Sequence, residues 1–122
     1  MRIRLALLTI PFLAFSALFA ACDGGGEGGE LPACPEGGTA LTYADFGQPF
    51  FGKYCTSCHS AGSGVSEAQD IPLDSQSAVQ SRIEDIFEEA GGTHTGMPPA
   101  GNAAPTAAER EQLAEWLSCG AE

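Results

Sequence analysis

The sequence predicts an all-α domain, on three observations. No stretch alternates apolar and polar residues with the period of two that a half-buried strand needs. Apolar residues instead recur three and four apart in three separate segments. Two of those segments open on a Ser/Thr and a Glu/Gln three residues apart, the pattern of a capped helix start. The 122 residues suffice for one domain.

The chain is expected to divide into an export signal at 1–21, an acidic Gly-rich tether at 22–39 and the folded domain at 40–122. Arg2 and Arg4 form a positive start, and Leu5 to Ala20 is nearly all apolar. A membrane-spanning helix needs about 20 apolar residues. This run is shorter, contains Pro11 and ends in small residues, as an export signal does. An uncleaved anchor helix is the alternative, and length and flanks count against it. The closing LFAAC, residues 18–22, resembles the lipobox of bacterial lipoproteins, with Phe19 where that family usually has Leu. The resemblance implies that Cys22 is lipidated and becomes the mature N-terminus. The following DGGGEGGELP has the composition of a flexible spacer with nothing to bury.

In the folded part, Thr42 begins a turn, and Phe46, Phe50 and Tyr54 then recur every fourth residue. Pro49 fits only in a first turn, so the regular helix starts near Gly47. A second helix opens with a Ser77…Gln80 capping box. Val79, Ile83, Ile86, Phe87 and Ala90 form its apolar stripe, with Glu84, Asp85, Glu88 and Glu89 on the other side and Gly91-Gly92 as its end. The third opens with Pro105 and a Thr106…Glu109 capping box, carries Leu113, Trp116 and Leu117 on one face, and stops at Gly120. Loops rich in Gly, Pro and Ser fill 60–76 and 91–105. Three short helices over about 80 residues bury little apolar surface, so another body must fill the centre.

CTSCH, residues 55–59, supplies that body. A thioredoxin-like dithiol sits at a strand-to-helix junction, and no strand is expected here. A zinc finger needs a second ligand pair, and His94 stands alone. C-x-x-C-H is the attachment signal for a c-type haem. Cys55 and Cys58, one helical turn apart, form thioethers to the two vinyl groups, and His59 brings its imidazole to the iron. The haem then becomes the missing core.

The other cysteines follow. Exported proteins keep disulfides, and with Cys22, Cys55 and Cys58 assigned, Cys34 and Cys119 remain as a possible disulfide; two free thiols are the alternative. A loop of about 85 residues is worth on the order of 4 kcal/mol by chain entropy, a disputed mechanism. Export would remove Arg2 and Arg4 and leave Lys53, Arg82 and Arg110 against all 16 carboxylates, a net charge near −13. That charge excludes nucleic acid as a partner and favours basic partner surfaces.

CTSCH at 55–59, IPL at 71–73, GMPP at 96–99 and LAEWLSCG at 113–120 resemble the class I monohaem cytochromes c, particularly bacterial lipoprotein forms, over about residues 40–120. The resemblance implies a cytochrome c fold, three main helices and loops wrapped around one covalent haem c. It makes Met97 the distal iron ligand; Pro98 keeps Met97 out of α geometry, and Pro99 stiffens the strap further. It makes the Pro72 carbonyl the acceptor of the proximal histidine's other N–H, with Ile71 where the family usually has Gly. It sets the first and last helices crosswise, with Phe50 or Phe51 against Trp116. His94, three residues before Met97, is the alternative sixth ligand.

The function expected is one-electron transfer between redox proteins on the periplasmic side of a bacterial membrane, inner or outer, without catalysis by the domain itself. The alternatives are a haem subunit or domain serving an oxidoreductase and a haem-based gas or redox sensor. Catalysis or gas binding at iron needs an exchangeable sixth position, which Met97 would close.

Overall fold

The computed structural model describes residues 29–122. The export signal, Cys22 and the first part of the tether lie outside the described residues. Within them the regular structure is helical, with no strand, as the missing period-two pattern predicts. No described helix is long and apolar enough to cross a membrane.

Thr42 starts the first helical segment. Its hydroxyl accepts from the Asp45 backbone N–H at 3.1 Å, and its carbonyl accepts from both Phe46 and Gly47. The second of these bonds spans five residues and widens Tyr43–Gly47 into a π-helical turn. That turn runs directly into α1, Gln48–Tyr54, with Pro49 in its first turn. Pro49 loses nothing there, because a first-turn N–H has no intrahelical acceptor.

The second expected helix is two. Ser75, not Ser77, caps α2, Gln76–Gln80, accepting from Ala78 N–H at 3.3 Å. The chain then breaks at Ser81-Arg82 before α3, Ile83–Ala90. The Ser81 hydroxyl donates back to the Ala78 carbonyl at 2.7 Å, offering the main chain a local alternative to helix. Gln80 does not reach back to a cap; its amide donates to the carbonyls of Gly120 and Ala121, and Gln76 also reaches Ala121. Long-range bonds to the C-terminal tail thus displace the capping box read from spacing. A 3₁₀ turn, Ala68–Asp70, lies in the preceding loop.

α4, Ala107–Ser118, carries the full capping box at its start. Thr106 N–H donates to Glu109 Oε2 at 2.8 Å, and Glu109 N–H to Thr106 Oγ1 at 3.2 Å. The helix ends in a Schellman motif: Ala121 N–H bonds the Trp116 carbonyl and Gly120 N–H the Leu117 carbonyl. Gly120 sits at φ +86°, a conformation free of strain only for glycine.

Trp116, fully buried, organises the core. Its ring meets Tyr43, Phe46 and Phe51 at centroid distances of 6.4, 5.8 and 6.3 Å, and its indole N–H donates to the Glu122 carbonyl at 3.1 Å. Of the two phenylalanines expected to meet Trp116, Phe51 does so, while Phe50 packs between Phe46 and Tyr54. The same Glu122 carbonyl accepts from Tyr43 N–H at 2.9 Å. Cys34 and Cys119 are joined as a disulfide with Cα atoms 4.8 Å apart, so the lead-in segment is fastened to the end of α4 twice.

Candidate functional site

α1 leads the CTSCH segment out from the core, with Cys55, Cys58 and His59 half-buried and Ser57 exposed. Its last turn buries Phe50, Phe51 and Tyr54, and the chain then turns tightly, with Cys58 N–H and His59 N–H both donating to the Cys55 carbonyl at 3.1 and 2.8 Å. The Ser63 hydroxyl holds the Cys58 carbonyl at 2.6 Å. Burial pushes the Cys55 thiol up to about 12, only partly opposed by the Arg110 charge, so it is a neutral thiol near neutral pH.

His59 is fixed from two sides. Its carbonyl accepts from Leu73 N–H at 2.8 Å, and its Nδ1 lies 3.1 Å from the Ile71 carbonyl. A carbonyl can only accept, so Nδ1 is the donor in this contact, and in the neutral ring that leaves the lone pair on Nε2. The expected acceptor, Pro72, is therefore corrected by one residue. Pro72 sits between the two anchor points, and its ring disfavours α geometry at Ile71, which stands at φ −124° and ψ 67° with its carbonyl facing the imidazole.

Cys55, Cys58, His59 and Met97 line one cleft of about 670 Å³, within the range of small-molecule and cofactor sites. Its walls include Phe50, Tyr54, Leu73, Ile86, Ala90, Pro98 and Pro99. Among the described residues the large apolar side chains left exposed are Val65, Ile71 and Met97, at 43%, 39% and 37%. All three line this cleft. A flat apolar group held there would cover them, so the residues present fit a haem.

Met97 enters the cleft on a loop tied at both faces. Its N–H donates to the Glu89 carbonyl at 2.8 Å, and its carbonyl accepts from Arg110 Nη1 at 3.0 Å. His94, the alternative ligand, is turned elsewhere. Its ring packs edge-on against Phe87 at 5.1 Å, and it is not among the cleft-lining residues.

Two features escape a reading of spacing. Arg110 is buried beside this loop; its signal is that it falls on the α4 stripe of Leu113, Ala114 and Leu117, where a charge is out of place. Glu109 joins the start of α4 to the residues before the motif, accepting from Tyr54 OH at 2.8 Å and pairing with Lys53 at 3.3 Å. The Thr106 backbone N–H first, then the Tyr54 and Thr106 hydroxyls, hold its carboxyl down at about 2.

The family model described as cytochrome c oxidase, cbb3-type, subunit III matches residues 43–117. That span runs from the π-helical turn into α4 and contains CTSCH, Met97 and Arg110, while Cys34 and Cys119 fall outside it. No curated protein and no solved structure matches the chain. A strandless helical domain, a C-x-x-C-H cleft and a match over more than half the residues lead to one conclusion: the chain belongs to the cbb3-type cytochrome c oxidase subunit III family, with a cytochrome c fold that implies haem c and haem-based electron transfer.

Proposed function

We propose that this chain is a one-electron carrier holding one haem c, attached through Cys55 and Cys58 and ligated by His59 and Met97. It is tethered to the periplasmic side of a bacterial membrane by lipid on Cys22. The observation that carries the reading is the convergence of two thiols, an oriented imidazole and a thioether on one apolar cleft. Bound haem c supplies one-electron Fe(II)/Fe(III) chemistry.

The chain's own residues do the rest. The Ile71 carbonyl holds the His59 Nδ1 proton, which orients the ring and raises the basicity of Nε2. Met97 offers a soft thioether, which favours the reduced metal and raises the potential. The apolar walls keep water away from the site. Asp85, Glu88 and Glu89 on α3 also border the cleft, so a redox partner with a basic surface is attracted to that side.

The test is a haem stain after denaturing electrophoresis of protein matured in a periplasm, followed by CO titration of the reduced form. The reading expects covalent haem, no CO binding by the parent, and CO binding after Met97→Ala. A parent without covalent haem, or one that binds CO, defeats it.

The family match favours a second reading, service within an oxygen-reducing oxidase complex. Co-migration of the tagged protein with oxygen-reducing activity in gently solubilised membranes is its test; a free monomer carrying all the haem counts against it.

A further inference from the structure

Arg110 is the buried charged residue among the described residues, only 4% exposed. The ion pairs there join Lys53 to Glu109 and Arg82 to Asp85, so no carboxylate among the described residues answers this guanidinium. A buried charge without a counter-ion is costly unless its donors are satisfied. Nη1 donates to three carbonyls: Ala90 at 2.8 Å, His94 at 2.8 Å and Met97 at 3.0 Å. It has two hydrogens for three acceptors, so one hydrogen is shared between two carbonyls.

Those carbonyls have a pattern. Ala90 is the last residue of α3, which has no basic residue in its final turn; Arg110 supplies the cation that a helix C-terminus favours. His94 and Met97 lie in the first half of the loop that joins α3 to α4. The Arg110 carbonyl also accepts from Gly92 N–H at 2.9 Å, so one residue grips the loop at its start through main chain and near its middle through side chain. Pro98 and Pro99 have no N–H to donate, so beyond the Met97 N–H bond to Glu89 the strap is fastened through its carbonyls.

We propose that Arg110 is the positioning residue of the Met97 strap, fixing the Met97 carbonyl to α3 and α4 and so setting where the thioether stands in the cleft. The proposal rests on Met97 being the sixth ligand. Arg110 is not among the cleft-lining residues, so it acts through the loop and not on the bound group. All three bonds come from Nη1, which stands one bond further from Cα than a lysine Nζ, so a lysine at 110 keeps the charge but falls short of the same position.

The experiment uses the full chain with haem attached and titrates the ferric protein with imidazole, a ligand that must displace Met97 to bind. The proteins are the parent, Arg110→Lys, Arg110→Gln, Met97→Ala, the Met97→Ala/Arg110→Lys double variant, and Val79→Ala, a buried α2 residue outside the cleft lining. Apparent affinity scales with the fraction of molecules whose strap is displaced, so the Arg110 variants should bind imidazole at least ~tenfold more tightly. They should also weaken the charge-transfer band of methionine-ligated ferric haem. Val79→Ala should lower the melting temperature and leave imidazole affinity alone. In the Met97→Ala background, Arg110→Lys should have no further effect on affinity.

Parental band and affinity in both Arg110 variants would overturn the proposal, as would an equal gain in affinity from Val79→Ala. Should Arg110→Gln not accumulate, Arg110→Lys, which retains the buried charge, carries the test. If Met97→Ala itself changes neither band nor affinity, methionine ligation has failed and this proposal falls with it. If Met97→Ala changes both while the Arg110 variants change neither, only the positioning role has failed.

Discussion

Gly47→Ala sets two local effects against each other at the join between the π-helical turn and α1. The backbone there is right-handed helical, φ −57° and ψ −57°, so alanine is conformationally welcome and gains about 0.5–1 kcal/mol over glycine. The added methyl, however, would stand 2.6 Å from Trp116 Cη2, 2.8 Å from Cζ2 and 2.9 Å from Tyr43 Cδ2. Trp116 is fully buried, ringed by aromatics and held by its indole hydrogen bond, so it cannot swing aside cheaply. Overpacking of this kind costs about 1–3 kcal/mol. With three contacts under 3.0 Å the clash wins, for a net loss of up to about 2.5 kcal/mol, or up to about 20 °C in Tm for a domain of this size. Thermal unfolding followed by circular dichroism reads it directly. Trp116 touches Phe51, which lines the cleft, so the haem absorbance spectrum should also shift. A variant as stable as the parent would refute the claim that close approach to the indole, not helix propensity, determines residue 47.

Glu109 ties acid sensitivity to the base of the cleft. Its carboxyl is held at about 2 against an ordinary 4.5, so the unfolded chain takes up this proton more readily, and the stabilisation, fully present above pH 4.5, is lost as pH falls toward 2. Glu109→Gln should therefore show a shallower decline of Tm across that window; parallel curves would refute this. Replacing Cys34 and Cys119 together by Ser should cost up to about 4 kcal/mol, read as a lower urea midpoint that no longer responds to reductant; a double variant as stable as the oxidised parent would count against it. Cys22→Ser should move the protein from the membrane fraction to the soluble periplasmic fraction, because a bare chain lacks the acyl groups that anchor it; retention on the membrane defeats the lipid tether.

The sequence by itself determined the features whose partners lie within a few residues. The Thr106…Glu109 box is readable because both its bonds close across one turn of helix. CTSCH is readable as a motif because its two thiols and its imidazole share one short segment, and Met97 is marked by the two prolines after it. Tertiary structure decided what depends on carbonyl acceptors and distant chain. Gln76 and Gln80 bond the tail beyond α4, which the spacing of Ser77 and Gln80 cannot foretell, and the helix breaks at Ser81-Arg82 accordingly. Whether the acceptor for His59 is Ile71 or Pro72 is invisible in side chains, since every residue carries a carbonyl. On paper Met97 is the expected ligand and His94 the alternative, but only the packed structure shows where each stands: His94 lies edge-on against Phe87, and Met97 lines the cleft. Arg110 depends on tertiary structure most completely, because the three carbonyls it holds belong to a helix end and a loop that converge only when α3 and α4 pack together.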